Sequence, residues 1–335
     1  MRIIIKIGTS TLTYASGCIN IRRIENLCKV ISDLKNAGNE VIMVSSGAIA
    51  MGHGKLNIKE PPQNVAEKQA FAAVGQCELM YAYDKIFSAY NITVAQILLT
   101  ADDLLNSERH EKFDNTMAQL LKWNVLPVIN ENDTVSTTEI KIGDNDTLAA
   151  IVAESVGADL LVLMSDIDGL FDSDPHQNPN AKFIERIDEW SDELMKLGGC
   201  AGSARGTGGM FTKLKAAKIV TESGCDMIIM NGAFPENLYN IIDGKPIGTR
   251  FFAKKTSVYK GYKQDKIEMR GDRAEMSDFP LYLNTVAGGL DRRDQTIGGF
   301  SFVVKIYAVP VVEIIGQLLY LLGRYGFNAQ FGDCL

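Results

Sequence analysis

The chain has 335 residues, 46% of them apolar and 22% charged, with a formal net charge of −7. That length suits one large α/β domain with an appendage, or two domains, with a sizeable buried core. The acidic balance argues against a nucleic-acid partner, which needs basic surface against phosphate backbones, and leaves room only for a local basic pocket holding a small phosphate.

Strand and helix patterns alternate over roughly the first 250 residues. Residues 2–7 form a short apolar run leading straight from Met1, with no signal-peptide pattern, so a cytoplasmic location is expected. Residues 22–37 place Ile24, Leu27, Cys28, Ile31 and Leu34 at helical spacing, and Gly38 stands where a helix stops. A strand is expected at 40–44, a helix at 63–90 with a break point at Gly75, a strand at 93–99, a helix at 108–123 and a strand at 125–129. Asp144 suits the cap of a helix running to Val156, followed by a strand at 159–164, a helix at 211–223 and a strand at 227–230. Several of these strands are apolar on both faces, which marks a parallel sheet covered by helices on each side. The expected class is therefore α/β, a three-layer αβα sandwich with a mostly parallel central sheet.

The pattern changes after about Lys255. Residues 256–295 are charged and lack a clear period. Residues 300–325 are rich in apolar side chains, but Lys305, Pro310, Glu313 and Gln317 interrupt them, so an amphipathic or partner-packing segment is expected rather than a membrane span. The cysteines, Cys18, Cys28, Cys77, Cys200, Cys225 and Cys334, form no CxxC pair and read as buried or free thiols in a reducing compartment.

In parallel sheets, ligands bind beyond the carboxyl ends of the strands. Four such ends are polar here: "KIGTS", "VSSGAIAMG", "PVINENDTV" and "LMSDIDGL". Lys6 in the first is either a strand-end lysine snorkelling to water or a cation held for an anion; Gly8 and the hydroxyls after it favour the anion, because small residues let backbone amides approach. "GSARGTGGMFTK" puts a glycine-rich turn before a helix, with Lys213 in the first helical turn, where the helix dipole attracts anions. It is no Walker A loop, and it also reads as a loop followed by a solvent face studded with Lys215 and Lys218. "INEND" and "GDND" bring Asp133, Asn145 and Asp146 to turn and cap positions, which alone would be ordinary turn chemistry. Together with two lysines they suggest a site for a zwitterion and a nucleotide.

In order along residues 1–252, "KIGTS", "VSSGAIAMG", "AAVGQ", "PVINENDTV", "EIKIGDNDTLAA", "SDIDGLFDSDP", "GTGGMFTK" and "IGTRF" resemble the gamma-glutamyl kinases (glutamate 5-kinases), a branch of the amino acid kinase family. The resemblance implies an amino acid kinase domain at 1–255, its amino-terminal part binding glutamate and its carboxyl-terminal part binding ATP. It implies a catalytic set of Lys6, Lys213 and Asp146, with Asp146 orienting the lysines. Ser46, Asp133 and Asn145 would bind glutamate. Lys6, Ser165, Asp166, Thr207, Gly208, Gly209, Met210, Phe211, Thr212 and Lys213 would line the ATP site. The family uses ATP with Mg²⁺; no metal ligand is assigned here. It is commonly dimeric or tetrameric, with 63–90 a candidate interface, and is often inhibited by proline. Residues 256–335 do not show the PUA pattern that many members carry.

The expected reaction phosphorylates the glutamate side-chain carboxylate, the first step of proline biosynthesis. A carboxylate of pKa about 4.3 is already ionised at neutral pH and needs no general base. His53, His110 and His176 are accordingly expected to be structural or exposed. The alternatives are a non-catalytic nucleotide or amino-acid sensor on the same fold, and a kinase for another small carboxylate.

Overall fold

Alternation along the first strand organises the molecule. In the computed structural model, residues 2–7 form β1 (Arg2–Ile7), with Ile3, Ile5 and Ile7 in one apolar core and Ile4 in another. Successive strand side chains point to opposite faces, so Lys6 shares the face of Ile4. The structure describes residues 1–254 apart from 15, 59, 137–143, 174, 176–177 and 199–208; expectations for 256–335 fall outside these residues.

β1 is flanked by β2 (Glu40–Ser45) and β5 (Leu160–Ser165), both parallel to it. With β3 (Val94–Leu99), β4 (Leu126–Glu131), β8 (Arg186–Ile187), β9 (Asp226–Asn231) and β10 (Thr249–Phe251) they make an eight-stranded sheet in the order β3-β4-β2-β1-β5-β9-β10-β8. Only the β9–β10 pairing is antiparallel within it. The chain steps to one side of β1 through β2, β3 and β4, then crosses to the other with β5. The carboxyl ends of β1, β2 and β5 therefore border the crevice where the direction of winding reverses.

Helices cover both faces. One core packs β1 against α2 (Ile21–Asn36), α4 (Val65–Ser88) and α10 (Asn237–Ile242). The other packs the sheet against α6 (Ser107–Lys122), α7 (Asn145–Ser155) and α9 (Met210–Glu222). This is the expected three-layer sandwich. The central strands expose almost nothing, and each such aliphatic side chain contributes about 1.5–3 kcal/mol relative to exposure.

Local chemistry sets the boundaries. α2 starts where Asn20 Oδ1 accepts the Arg23 N–H at 3.2 Å, and the chain leaves it through Gly38 at φ +90°. α7 starts where Asp144 Oδ1 accepts the Thr147 N–H at 2.8 Å, the expected cap. The break expected at Gly75 does not occur: α4 runs through it. A Cβ there would stand 1.7 Å from the Ala48 carbonyl oxygen and 2.4 Å from the Gly52 nitrogen. Gly75 thus admits the backbone of α3 (Ala48–Leu56), a helix absent from the expected elements and carrying Gly52 and Gly54. Their weak helix propensity is offset by the close approach they allow.

Candidate active site

Lys6 sits in register with Val44 of β2 and Leu163 of β5, on the face covered by α7 and α9. Asp146 is in the first turn of α7, and Lys213 follows one turn into α9. The three meet. Lys6 Nζ is 2.6 Å from Asp146 Oδ1, and Lys213 Nζ is 3.1 Å from Asp146 Oδ2. Thr212 Oγ1 also donates to Asp146 Oδ2, at 3.0 Å. Lys6, Asp146 and Lys213 are 9%, 1% and 5% exposed, which excludes a snorkelling role for either lysine. Lys215 and Lys218, by contrast, face solvent.

Burial pushes the Asp146 carboxyl up, but Lys6 and then Lys213 outweigh it and hold the group below the usual carboxylate range. Asp146 thus sets two buried cations side by side, a positive field at the strand ends. The N-terminus of α9 adds to it. Gly209 caps that helix without a side-chain acceptor, and no acid lies in its first turn. At the end of β1 the Gly8 N–H donates to the Met164 carbonyl at 3.2 Å, so that turn lies against the end of β5.

On the other side of β1 a chain of neutral groups leads away from Asn145. Ser46 follows β2, its N–H donating to the Ile7 carbonyl at 3.0 Å, and Gly47 takes φ +106°. Asn145 Nδ2 donates to Ser46 Oγ at 2.8 Å and to Asn130 Oδ1 at 2.9 Å. Asn130 Nδ2 donates to Gln76 Oε1 at 3.0 Å, and Gln76 Nε2 to Gln96 Oε1 at 3.0 Å. Asp133 is half-buried in the turn after β4, where the Asn132 carbonyl accepts the N–H groups of Val135 and Ser136.

Ser165 ends β5, nearly buried, with its hydroxyl donating to Asp166 Oδ1 at 3.2 Å; Asp166 is exposed. Gly209, Met210, Phe211 and Thr212 lead into Lys213 along the start of α9, while Thr207 and Gly208 lie outside the described residues. Of the histidines, His53 Nε2 pairs with the Glu60 carbonyl oxygen and His110 Nε2 with Ser155 Oγ; His176 is outside the described residues. Cys28 and Cys225 are buried thiols, and Cys18 and Cys77 exposed ones, none of them in a disulfide. Among the described residues no three His, Cys, Asp or Glu side chains converge on a metal position, and no helix is long and apolar enough to cross a membrane.

Residue-by-residue reading did not assign a role to Asn130 or Gln76, although "PVINEND" and "AAVGQ" contain them. Nor did it find Asn231 at the end of β9, whose Nδ2 donates to Asp168 Oδ1 at 2.8 Å. A buried amide carries no distinctive sequence signal; only its neighbours across the sheet reveal it.

Residues 1–231 match the model of the amino acid kinase family. The chain is 51% identical over 258 residues to a glutamate 5-kinase of Clostridium perfringens, covering 76% of this chain and 96% of the relative. It is also 51% identical over 258 residues to a glutamate 5-kinase of Thermoanaerobacter sp., covering 77% of this chain and 69% of the relative. Among solved structures, a carbamate kinase from Giardia lamblia bound to AMP-PNP superposes with a TM-score of 0.52 at 19% identity, over 75% of this chain and 98% of that one.

Proposed function

Because the chain belongs to the amino acid kinase family, we propose that its site transfers the γ-phosphoryl group of ATP to the side-chain carboxylate of L-glutamate, giving L-glutamyl 5-phosphate, the first step of proline biosynthesis. The observation that carries this reading is the buried Lys6–Asp146–Lys213 triad, two lysines gathered on one carboxylate at the strand ends.

The chemistry needs that charge. Both nucleophile and phosphoryl group are anionic, and the glutamate carboxylate, with a pKa of about 4.3, requires no base. Lys6 and Lys213 hold the migrating group from two sides of the crevice, and Asp146 keeps both ammonium groups aimed. Preorganised donors of this kind are each worth roughly 10²–10³ in rate. Ser46, Asp133 and Asn145 bind glutamate, with Asp133 pairing its α-ammonium. Ser165, Asp166 and the segment from Thr207 through Gly208, Gly209, Met210, Phe211 and Thr212 to Lys213 line the ATP site.

The donor set fits Mg²⁺ carried in by the nucleotide. Asp146 is committed to two lysines, Asp166 remains exposed beside the site, and Mg²⁺ commonly binds through phosphates, waters and one or two carboxylates. When bound, it neutralises phosphate charge. Residues 1–255 form the kinase domain, amino-terminal half for glutamate and carboxyl-terminal half for ATP, and 256–335 a tail outside the PUA pattern. A cytoplasmic homo-oligomer, dimer or tetramer, inhibited by proline completes the proposal.

The test uses the full chain with ATP, Mg²⁺ and hydroxylamine, which converts an acyl phosphate to a hydroxamate and releases phosphate. Glutamate, aspartate and N-acetylglutamate are compared. Hydroxamate from glutamate alone is expected. ATP binding without turnover would overturn the reading in favour of a sensor, and turnover of another carboxylate in its place would reassign the substrate.

A further inference from the structure

We infer that Gln76 is a positioning residue: through Asn130 it fixes the Asn145 amide with its oxygen turned toward the substrate, and so selects a substrate bearing an ammonium group. This rests on the glutamate reading above.

A carboxamide presents a donor at one end and an acceptor at the other, in nearly the same shape. Which end faces where is decided by its neighbours. Here two partners hold the Asn130 amide, one at each end. The Glu131 N–H, which cannot accept, donates to Asn130 Oδ1 at 2.9 Å. At the other end Gln76 Oε1 accepts from Asn130 Nδ2 at 3.0 Å, so the amide is held against rotation by both. The same Asn130 oxygen takes a second donor, Asn145 Nδ2, at 2.9 Å. Asn145 Nδ2 spends its other N–H on Ser46 Oγ.

Both Asn145 N–H groups are therefore used within the protein, and Oδ1 is left over. That oxygen is buried and has no hydrogen-bond partner among the described residues. A buried acceptor is costly until a donor reaches it. An α-ammonium offers three N–H donors, enough for a carboxylate and this amide oxygen together; an N-acylated substrate offers one N–H and no charge.

Gln76 is well placed to hold the series. It is 8% exposed, and it follows Gly75, the residue locked against Ala48 and Gly52. Its far end donates to Gln96, which is exposed on β3 and can rotate its amide to suit a different partner. Gln76→Glu keeps an acceptor for Asn130, whereas Gln76→Met removes it at similar volume.

The experiment is steady-state kinetics of wild type, Gln76→Met and Gln76→Glu, with melting temperatures for all three. Gln76→Met is expected to raise the glutamate KM about tenfold, with kcat and the ATP KM within about twofold. Gln76→Glu should keep the glutamate KM within about threefold of wild type. A glutamate KM unmoved by Gln76→Met, or a parallel rise in the ATP KM, overturns the inference. Where Gln76→Met fails to fold, Gln76→Glu still decides: a tenfold rise in its glutamate KM refutes the acceptor role. Wild type that makes no glutamate hydroxamate overturns the function reading itself, whereas active wild type with indifferent Gln76 variants overturns only the role of Gln76.

Discussion

Two networks start from adjacent residues of α7 and behave differently. Asp146 gathers Lys6 and Lys213 into a charged cluster on the α9 side. Asn145 begins a neutral series of amides running through Asn130 and Gln76 to Gln96 on the α4 side. The charged network is short and buried, with two cations on one carboxylate, which suits a group whose charge shifts during reaction. The neutral one is long and directional, and suits recognition of a ligand that stays put. Dipoles discriminate by polarity at little desolvation cost, while ions supply strength.

The sharpest way to break the contrast is to remove the anion and keep the cations. Asp146→Asn takes from two buried lysines the carboxylate they share, and stability measured by urea unfolding should fall by about 3–5 kcal/mol. The same logic fixes the pH dependence. The Asp146 carboxyl is held below its ordinary value, so its contribution is fully present above about pH 4 and is lost as pH falls through the lowered pKa. Acid unfolding of Asp146→Asn should lack that component.

Removing a cation has the opposite balance. Lys6→Met or Lys213→Met leaves a compensated pair, so unfolding should change by less than for Asp146→Asn, while kcat drops roughly 10²–10³-fold. A large stability loss with preserved kcat would show the lysines to be structural.

The neutral side is tested next through its scaffold. Gly75→Ala drives a methyl into the Ala48 carbonyl and should cost about 1–3 kcal/mol, with the glutamate KM rising while the ATP KM holds. If both rise together, the two networks are not separable. The smallest expected effect is Asp133→Asn, a rise of about tenfold in the glutamate KM against an unchanged ATP KM, read from initial rates.

The layered fold was legible because its strands are apolar on both faces and its long helices keep their period. Asn20, Gly38 and Asp144 mark boundaries by chemistry that acts within a few residues. α3 was not legible: its Gly52 serves a contact with α4, about twenty residues on, and its Gly54 one with Gly17, and local pattern sees neither partner. The same divide runs through the site. Lys6 stood out as a cation in an apolar strand, and Lys213 as a cation behind a glycine-rich turn. Gln76 looked like any helical glutamine, because only the fold brings Asn130 to it.

Asn145 and Asp146 are consecutive, in the opening turn of a single helix whose inner face is buried against the sheet. Neither can be displaced alone. Any slide or tilt of α7 by a fraction of an ångström shifts the grip on the acceptor and the grip on the travelling group in the same stroke. One helix thus serves both halves of the crevice, and if occupancy on one side shifts it, the other side exerts an equal influence in return.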